Sequence, residues 1–131
     1  VKADSIYQAE KALVLAQFDQ DKLEVEGRYK SQSEAIKKSA RLARSNQYSI
    51  IKNNPESKDQ GKQEIRRIRS TEANQLASLE TAKAKEISLL QSSKNDQLKS
   101  LRSDLDTERS EVRSFNTEQS NETKSKKSLG G

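Results

Sequence analysis

The sequence contains no cysteine, no histidine, no methionine and no tryptophan. Without cysteine, the chain can form neither a disulfide nor a thiolate metal site. Without histidine, it lacks the usual general base and the commonest metal ligand, so the standard catalytic triads and thiol mechanisms are excluded. We therefore expect a protein that is not an enzyme and needs no metal or cofactor. The absence of methionine, also at position 1, predicts a piece of a longer protein.

Apolar residues are scarce as well. Only 30% of the 131 residues are hydrophobic and 34% are charged, whereas apolar residues make up nearly half of a typical globular domain. This composition is typical either of a disordered chain or of a thin helical rod with a narrow apolar seam. No apolar run approaches the roughly 20 residues that a membrane-spanning helix requires.

Strong helix breakers occur together only near the middle of the chain, where Asn53 and Asn54 precede Pro55, and Gly61 follows. Proline disfavours the helical conformation in the residue before it, and glycine costs about 1 kcal/mol inside a helix. The sequence therefore predicts a hairpin domain over residues 1–115, with helices at about 5–52 and 62–115 and a loop at 53–61. Beyond it, residues 116–131 are almost entirely polar and predict a flexible or disordered tail.

Apolar residues recur every eleven positions in both predicted helices. The first helix carries the rows Ala3, Val14, Val25 and Ile36, and Tyr7, Phe18, Tyr29, Ala40 and Ile51. The second helix carries the rows Ile65, Leu76, Ile87 and Leu98, and Ile68, Leu79, Leu90, Leu101 and Val112. Eleven residues make three turns at about 3.67 residues per turn, so each row stays on one helix face. This rhythm favours folded helices over disorder.

The rows also predict how the helices pair. In an antiparallel hairpin the numbers of facing residues sum to a constant, and these rows superimpose when the sum is 115 or 116. The midpoint then falls near residue 58, inside the breaker segment. We predict an all-α fold, a long antiparallel two-helix coiled-coil hairpin with an eleven-residue (hendecad) repeat. Two independent amphipathic helices are the alternative, and disorder until a partner binds is a third possibility.

One feature predicts that this hairpin is only marginally stable alone, and a second indicates what could stabilise it. A third seam row is largely charged, and reads Glu72, Lys83, Lys94 and Leu105. A second apolar stripe adjoins the seam near the open end, and consists of Ile6, Ala9, Leu13, Ala16 and Leu23. We expect this end to meet a second copy, a third helix or another domain. The predicted assembly residues are Ile6, Leu13, Leu23, Leu105 and Val112.

Positive charge is concentrated in the middle of the chain. Residues 28–69 contain twelve Lys or Arg and four Asp or Glu, a net charge of +8 within a chain of +5. A hairpin brings these residues to its closed tip, which could attract nucleic acid, anionic lipid or an acidic protein. The predicted contact residues are Arg41, Arg44, Arg66, Arg67 and Arg69. The basic half has only two aromatic residues, Tyr29 and Tyr48, which argues against base-specific reading.

Two hypotheses about function follow. The first is a structural and interaction element, a rigid spacer or assembly arm that mediates protein–protein contact or oligomerisation. The second is a basic-tipped arm that binds nucleic acid or another anionic surface. Binding to phosphates weakens steeply with salt, whereas apolar association does not. A solvated charged surface without a ligand remains the alternative for the tip.

Overall fold

A computed structural model describes the backbone of residues 2–130 and the side chains of residues 2–121. Helix α1 runs over Lys2–Asn53, a short 3-10 helix over Pro55–Ser57, and helix α2 over Lys58–Gly130. The two long helices pack against each other, and the described residues contain no strand. The predicted all-α helical hairpin is confirmed. The supercoil that an eleven-residue repeat implies stays a prediction.

The turn between the helices is shorter than the sequence predicts. Asn54, the residue before Pro55, has φ −137° and ψ 85°, which is outside the helical region as expected before a proline. Its N–H still donates to the carbonyl of Ile50 at 2.8 Å, and its carbonyl accepts from the backbone N–H of Ser57 at 3.0 Å. The Ser57 hydroxyl donates to the same carbonyl at 2.7 Å. The predicted loop over residues 53–61 is therefore too long, because α2 already begins at Lys58.

Gly61 is buried inside α2 and does not break the helix. A Cβ atom at this position would lie 2.5 Å from Cγ1 and 2.6 Å from Cδ1 of Ile51 on the facing helix. The two helices approach so closely here that a side chain larger than hydrogen does not fit without movement. The prediction that Gly61 belongs to a loop is wrong, and its role is close packing beside the turn.

Contacts between residues of the hairpin fall into two compact units. The loop-end unit comprises residues 20–90, and the open-end unit comprises residues 2–19 with 91–130. In the loop-end unit Val25, Ala40 and Ile65 are buried, and in the open-end unit Leu105 is the buried residue. Every residue of the four predicted apolar rows is buried or half-buried except Val112. The predicted seam is therefore the core of both units.

Contacts between the helices confirm the predicted register. In the loop-end unit, Arg44 contacts Glu72 and Tyr29 contacts Glu86, pairs whose numbers sum to 116 and 115. In the open-end unit, Asp4 forms an ion pair with Arg109, a sum of 113. These values lie within a few residues of the predicted constant, as expected for long side chains that reach along the helices.

The charged seam row is better accommodated than the sequence indicates. In the loop-end unit, the guanidinium of Arg44 donates to the Glu72 carboxylate at 2.6 Å. In the open-end unit, Nζ of Lys94 lies 4.3 Å from the centroid of the Phe18 ring, a favourable cation–π arrangement. Glu72 and Lys94 of this row thus each have a partner on the facing helix.

Helix α2 extends beyond its predicted end near Phe115 and reaches Gly130. Residues 116–129 contain neither proline nor glycine, so an α-helix can continue by bonding its own backbone. Residues 111–121 are all exposed. The predicted flexibility of residues 116–131 stays a prediction, and the side chains from 122 onward lie outside the described residues.

Candidate interaction surfaces

Two of the predicted tip arginines are held by the facing helix. Arg44 is bound to Glu72, and both side chains are mostly buried, at 23% and 20% exposure. Nη2 of Arg69 lies 3.4 Å from the Tyr48 hydroxyl, at the limit of a hydrogen bond. These contacts place Arg44, Tyr48 and Arg69 on the same side of the seam in the loop-end unit.

The other three tip arginines differ in their surroundings. Arg67 is bound to Glu64 one turn earlier on α2, and a hydrogen bond from Arg67 lowers the pKa of Glu64. Arg41 and Arg66 are exposed and, within the described residues, form no ion pair or hydrogen bond. The structure thus separates the five predicted residues. Arg44 and Arg67 are bound to carboxylates, whereas Arg41 and Arg66 have no partner among the described residues and Arg69 contacts only the uncharged Tyr48 hydroxyl.

Helical spacing defines a basic flank in the loop-end unit. Arg41, Arg44, Tyr48 and Lys52 line one shallow groove along α1, with Lys37 one turn earlier. On α2, Lys62 and Arg66 precede Arg69 by seven and three positions, which puts them on the same side of that helix. The basic flank therefore consists of Lys37, Arg41, Arg44, Tyr48, Lys52, Lys62, Arg66 and Arg69. Arg67, one residue beyond Arg66, lies outside it.

The opposite side of the same unit is different in character. A groove there is lined entirely by uncharged residues, namely Ile36, Thr71, Asn74, Gln75, Ser78, Leu79 and Ala82. Seven of the fifteen basic residues of this unit therefore belong to the basic flank, and none of them lines this groove. Charge counting along the sequence missed this asymmetry, because it emerges only when helical spacing is combined with the way the two helices face each other.

A second cross-helix anchor, a set of polar contacts between α1 and α2, lies at Glu86, farther from the turn than Glu72. The Glu86 carboxylate accepts a hydrogen bond from the Tyr29 hydroxyl at 2.7 Å and is ion-paired with Arg28. These hydrogen bonds, from Tyr29 first and Arg28 second, lower the pKa of Glu86 below its ordinary value of 4.5. The carboxylate is thus held ionised between two residues of α1. The anchor was not predicted, because Tyr29 was assigned only an apolar role in the seam.

The predicted assembly surface is largely exposed. In the open-end unit, the exposed fractions are 48% for Ile6, 70% for Leu13 and 52% for Val112. Leu23 is 68% exposed but belongs to the loop-end unit. Leu105 is only 3% exposed, so it is a core residue, and its assignment to the assembly surface is wrong. Phe115, at 59% exposure, adds an aromatic ring to the exposed apolar side chains of this unit.

Carboxylates surround part of this apolar surface. A groove between the helices of the open-end unit contains Ile6 together with Glu10, Asp104, Glu108 and Glu111. On another side of the unit, the ion pair between Asp4 and Arg109 joins the two helices. The open-end unit has equal numbers of acidic and basic residues, ten of each, whereas the loop-end unit has fifteen basic and ten acidic residues. All of the net charge of +5 therefore belongs to the loop-end unit.

The part of the chain that the structure describes contains neither a cluster of metal-ligating side chains nor a helix that could span a membrane. No group of three or more acidic side chains is arranged to hold a metal ion among those residues. Along residues 2–130, neither α1 nor α2 contains a segment that is apolar enough to span a membrane. No known protein family, curated protein or solved structure matches this chain. The surfaces of the hairpin are therefore the basis for any functional argument.

Proposed function

We propose that the protein is a non-catalytic structural element, a helical spacer or assembly arm that makes protein–protein contacts through its open end. The observation that carries this proposal is the exposure of Ile6 and Leu13 on one side of α1, beside a seam that is already filled. Single exposed apolar residues are common on protein surfaces, but several at helical spacing are characteristic of an interaction surface.

The stripe continues between these two large residues. Ala9 and Ala16 are also exposed, and the spacing of Ile6, Ala9, Leu13 and Ala16 keeps all four on one face of α1. The small alanine side chains allow another helix to approach closely between the larger residues. A helix that packs there would remove Ile6 and Leu13 from water, which stabilises the complex by roughly 25 cal/mol per Å² of apolar area.

The partner that we propose for this surface is a second copy of the chain. In a symmetric dimer, each copy contributes the same patch, so one contact covers both apolar stripes at once. The open-end unit carries no net charge, but the carboxylates of Glu10, Asp104, Glu108 and Glu111 lie in the same groove as Ile6. Salt screens the repulsion between such carboxylates in a symmetric dimer, so it should not weaken the contact. Association of this kind is driven by apolar burial, and it should persist at high salt.

The test is the absolute mass of the full chain by light scattering, at low and high protein concentration and at two salt concentrations. We expect a mass above that of the 14.8 kDa monomer at high concentration, with little dependence on salt. The double variant Ile6→Gln, Leu13→Gln should remain monomeric at concentrations where the unaltered protein associates.

A matched control is available in the loop-end unit. Leu42 and Leu89 are exposed to a similar degree, at 57% and 62%, but do not belong to the open-end stripe. The double variant Leu42→Gln, Leu89→Gln should associate as the unaltered chain does. A chain that is monomeric at every concentration, or a control that loses association equally, would refute the proposal.

A further inference from the structure

The basic flank of the loop-end unit carries more positive charge than the hairpin itself neutralises. Seven of its eight residues are Lys or Arg, and of these only Arg44 is bound to a carboxylate, that of Glu72. Besides Glu72, two carboxylates lie at helical spacing from residues of the flank, those of Glu34 and Asp59. Seven cations and three carboxylates give the flank a net charge of +4. Such a surface attracts a ligand of high negative charge density.

We propose that the basic flank binds the phosphate backbone of single-stranded nucleic acid, with Tyr48 as the surface on which a base stacks. Lys52 lies eleven positions beyond Arg41, a distance of roughly 16 Å along the helix at about 1.5 Å per residue. At about 3.4 Å per phosphate, the spacing in one strand of a duplex, that distance accommodates at most about five phosphates. Lys62, Arg66 and Arg69 on α2 form a second, parallel row of cations.

Tyr48 favours a nucleic acid over other anions. Its side chain is 51% exposed in the middle of the flank, and its hydroxyl is next to Arg69. A positively charged groove with an exposed aromatic ring is the arrangement by which proteins bind single strands without sequence preference. One ring can stack one base but cannot distinguish sequences, so we expect affinity without specificity.

An anionic membrane fits this flank less well. Proteins that lie on membranes combine basic residues with apolar side chains that enter the lipid on the same face. The exposed apolar residues of this region are Leu42 and Ile50. They lie six and two positions from Tyr48, and neither spacing places them on its side of α1. The flank therefore offers charge and one aromatic ring, but no apolar anchor.

The experiment titrates a fluorescein-labelled 20-nucleotide oligothymidylate with the full chain and follows fluorescence anisotropy over a range of salt concentrations. The variant Arg41→Gln, Arg66→Gln removes two unpaired cations from the flank. Each lost phosphate contact lowers the slope of log K against log salt by about 0.7, so the slope should fall by about 1.4. The control variant Lys85→Gln, Lys99→Gln removes the same charge from exposed positions outside the flank, and should leave the slope unchanged.

Two substitutions of Tyr48 separate stacking from charge. Tyr48→Phe keeps the ring and should bind as the unaltered protein does, whereas Tyr48→Ser should bind at least about fivefold more weakly. Circular dichroism of each variant checks that the helices are intact. The open-end variant Ile6→Gln, Leu13→Gln should retain oligonucleotide binding, so this proposal and the one on assembly can fail independently.

Three results would overturn the inference. The first is that the oligonucleotide does not bind at low salt. The second is that the control variant Lys85→Gln, Lys99→Gln weakens binding as much as the flank variant does. The third is that Tyr48→Ser has no effect and vesicles containing phosphatidylserine bind with the same dependence on Arg41 and Arg66. In that case the flank recognises anionic surfaces in general, and a nucleic acid is not its specific ligand.

Discussion

Gly27 and Gly61 both lie inside helices, yet an added methyl group would meet different surroundings at the two positions. At Gly27 no atom lies within 4 Å of a Cβ, whereas at Gly61 the nearest atom of Ile51 would be at 2.5 Å. Neither residue has a positive φ, so neither needs the conformational freedom of glycine. Gly27 only lowers the stability of helix α1, whereas Gly61 permits the close approach of the two helices beside the turn.

We predict opposite effects of the same substitution at these two positions. Gly27→Ala should raise the free energy of unfolding by about 0.5–1 kcal/mol, because alanine is the better helix former. Gly61→Ala gains the same propensity, but it forces Ile51 to move. Overpacking of this kind typically costs about 1–3 kcal/mol, so we expect a net loss of up to about 2 kcal/mol. Urea unfolding followed by circular dichroism measures both changes.

The contact with Ile51 gives this prediction a control. In the background of Ile51→Ala, the methyl group at position 61 has room, so Gly61→Ala should stabilise that variant. A double-mutant cycle then gives a favourable coupling energy between the two substitutions. If Gly61→Ala stabilises the unaltered chain as much as Gly27→Ala does, Ile51 moves freely and the close-packing role of Gly61 is wrong.

At the scale of the elements, apolar periodicity predicted the seam because positions buried between two helices require apolar side chains. Val25, Ala40 and Ile65 are buried where the rows cross the facing helix. Helix ends were less predictable. The cost of about 1 kcal/mol for a glycine is small beside the packing of two helices, so Gly61 did not end α2. The polar sequence after Phe115 predicted the absence of packing there, but an unpacked chain can still be helical.

The candidate site was predictable in composition but not in arrangement. All five tip arginines lie in the loop-end unit, as the sequence indicates, but the ion pair of Arg44 depends on side-chain reach across the seam. Glu72 neutralises Arg44 and Glu64 neutralises Arg67. The i, i+3 spacing of Glu64 and Arg67 makes the second pair predictable from the sequence. No linear pattern predicts the first pair, because Arg44 and Glu72 lie on different helices. The same limit explains why the buried position of Leu105 was missed.

Helix α2 has one stretch that packs against α1 and another that does not, and proline can distinguish them. Ser88 and Glu118 are both exposed positions inside α2. Ser88 lies where α2 packs on α1, so Ser88→Pro should lower the free energy of unfolding by about 3 kcal/mol. Glu118 lies among residues 111–121, which are all exposed, so Glu118→Pro should leave the unfolding midpoint in urea nearly unchanged.

The two proline variants also differ in their effect on helix content. Glu118→Pro should reduce the helical signal in circular dichroism slightly, because the residues after it can fray without disturbing the hairpin. A large loss of stability in Glu118→Pro would mean that the exposed part of α2 contributes to folding, for example by packing on a second copy. Light scattering of the same sample distinguishes that case from packing within one chain.

At the scale of the whole molecule, acidic residues contribute more to the stability of the hairpin than their number suggests. The chain has 25 basic and 20 acidic side chains, and every ion pair between α1 and α2 described above uses a carboxylate. Glu86 and Glu72 hold the helices together in the loop-end unit, and Asp4 does so in the open-end unit. Acid protonates carboxylates and so raises the net positive charge of the chain, which destabilises a compact state. At Glu86 it also weakens the contacts with Tyr29 and Arg28.

We therefore predict that the hairpin loses stability in acid, and that Glu86 accounts for a measurable part of the loss. The pKa of Glu86 is lower in the folded chain than its ordinary value of 4.5. Its contribution is thus complete above about pH 4.5 and is lost as the pH falls through the folded value. The unaltered chain should show a larger drop in thermal midpoint between pH 6 and pH 3 than Glu86→Gln, which cannot titrate. Equal drops in the two proteins would show that the contacts of Glu86 with Tyr29 and Arg28 do not favour its ionised form. The variant Glu80→Gln, which removes an acid from an exposed position of the same helix, should retain the full pH dependence of the unaltered chain.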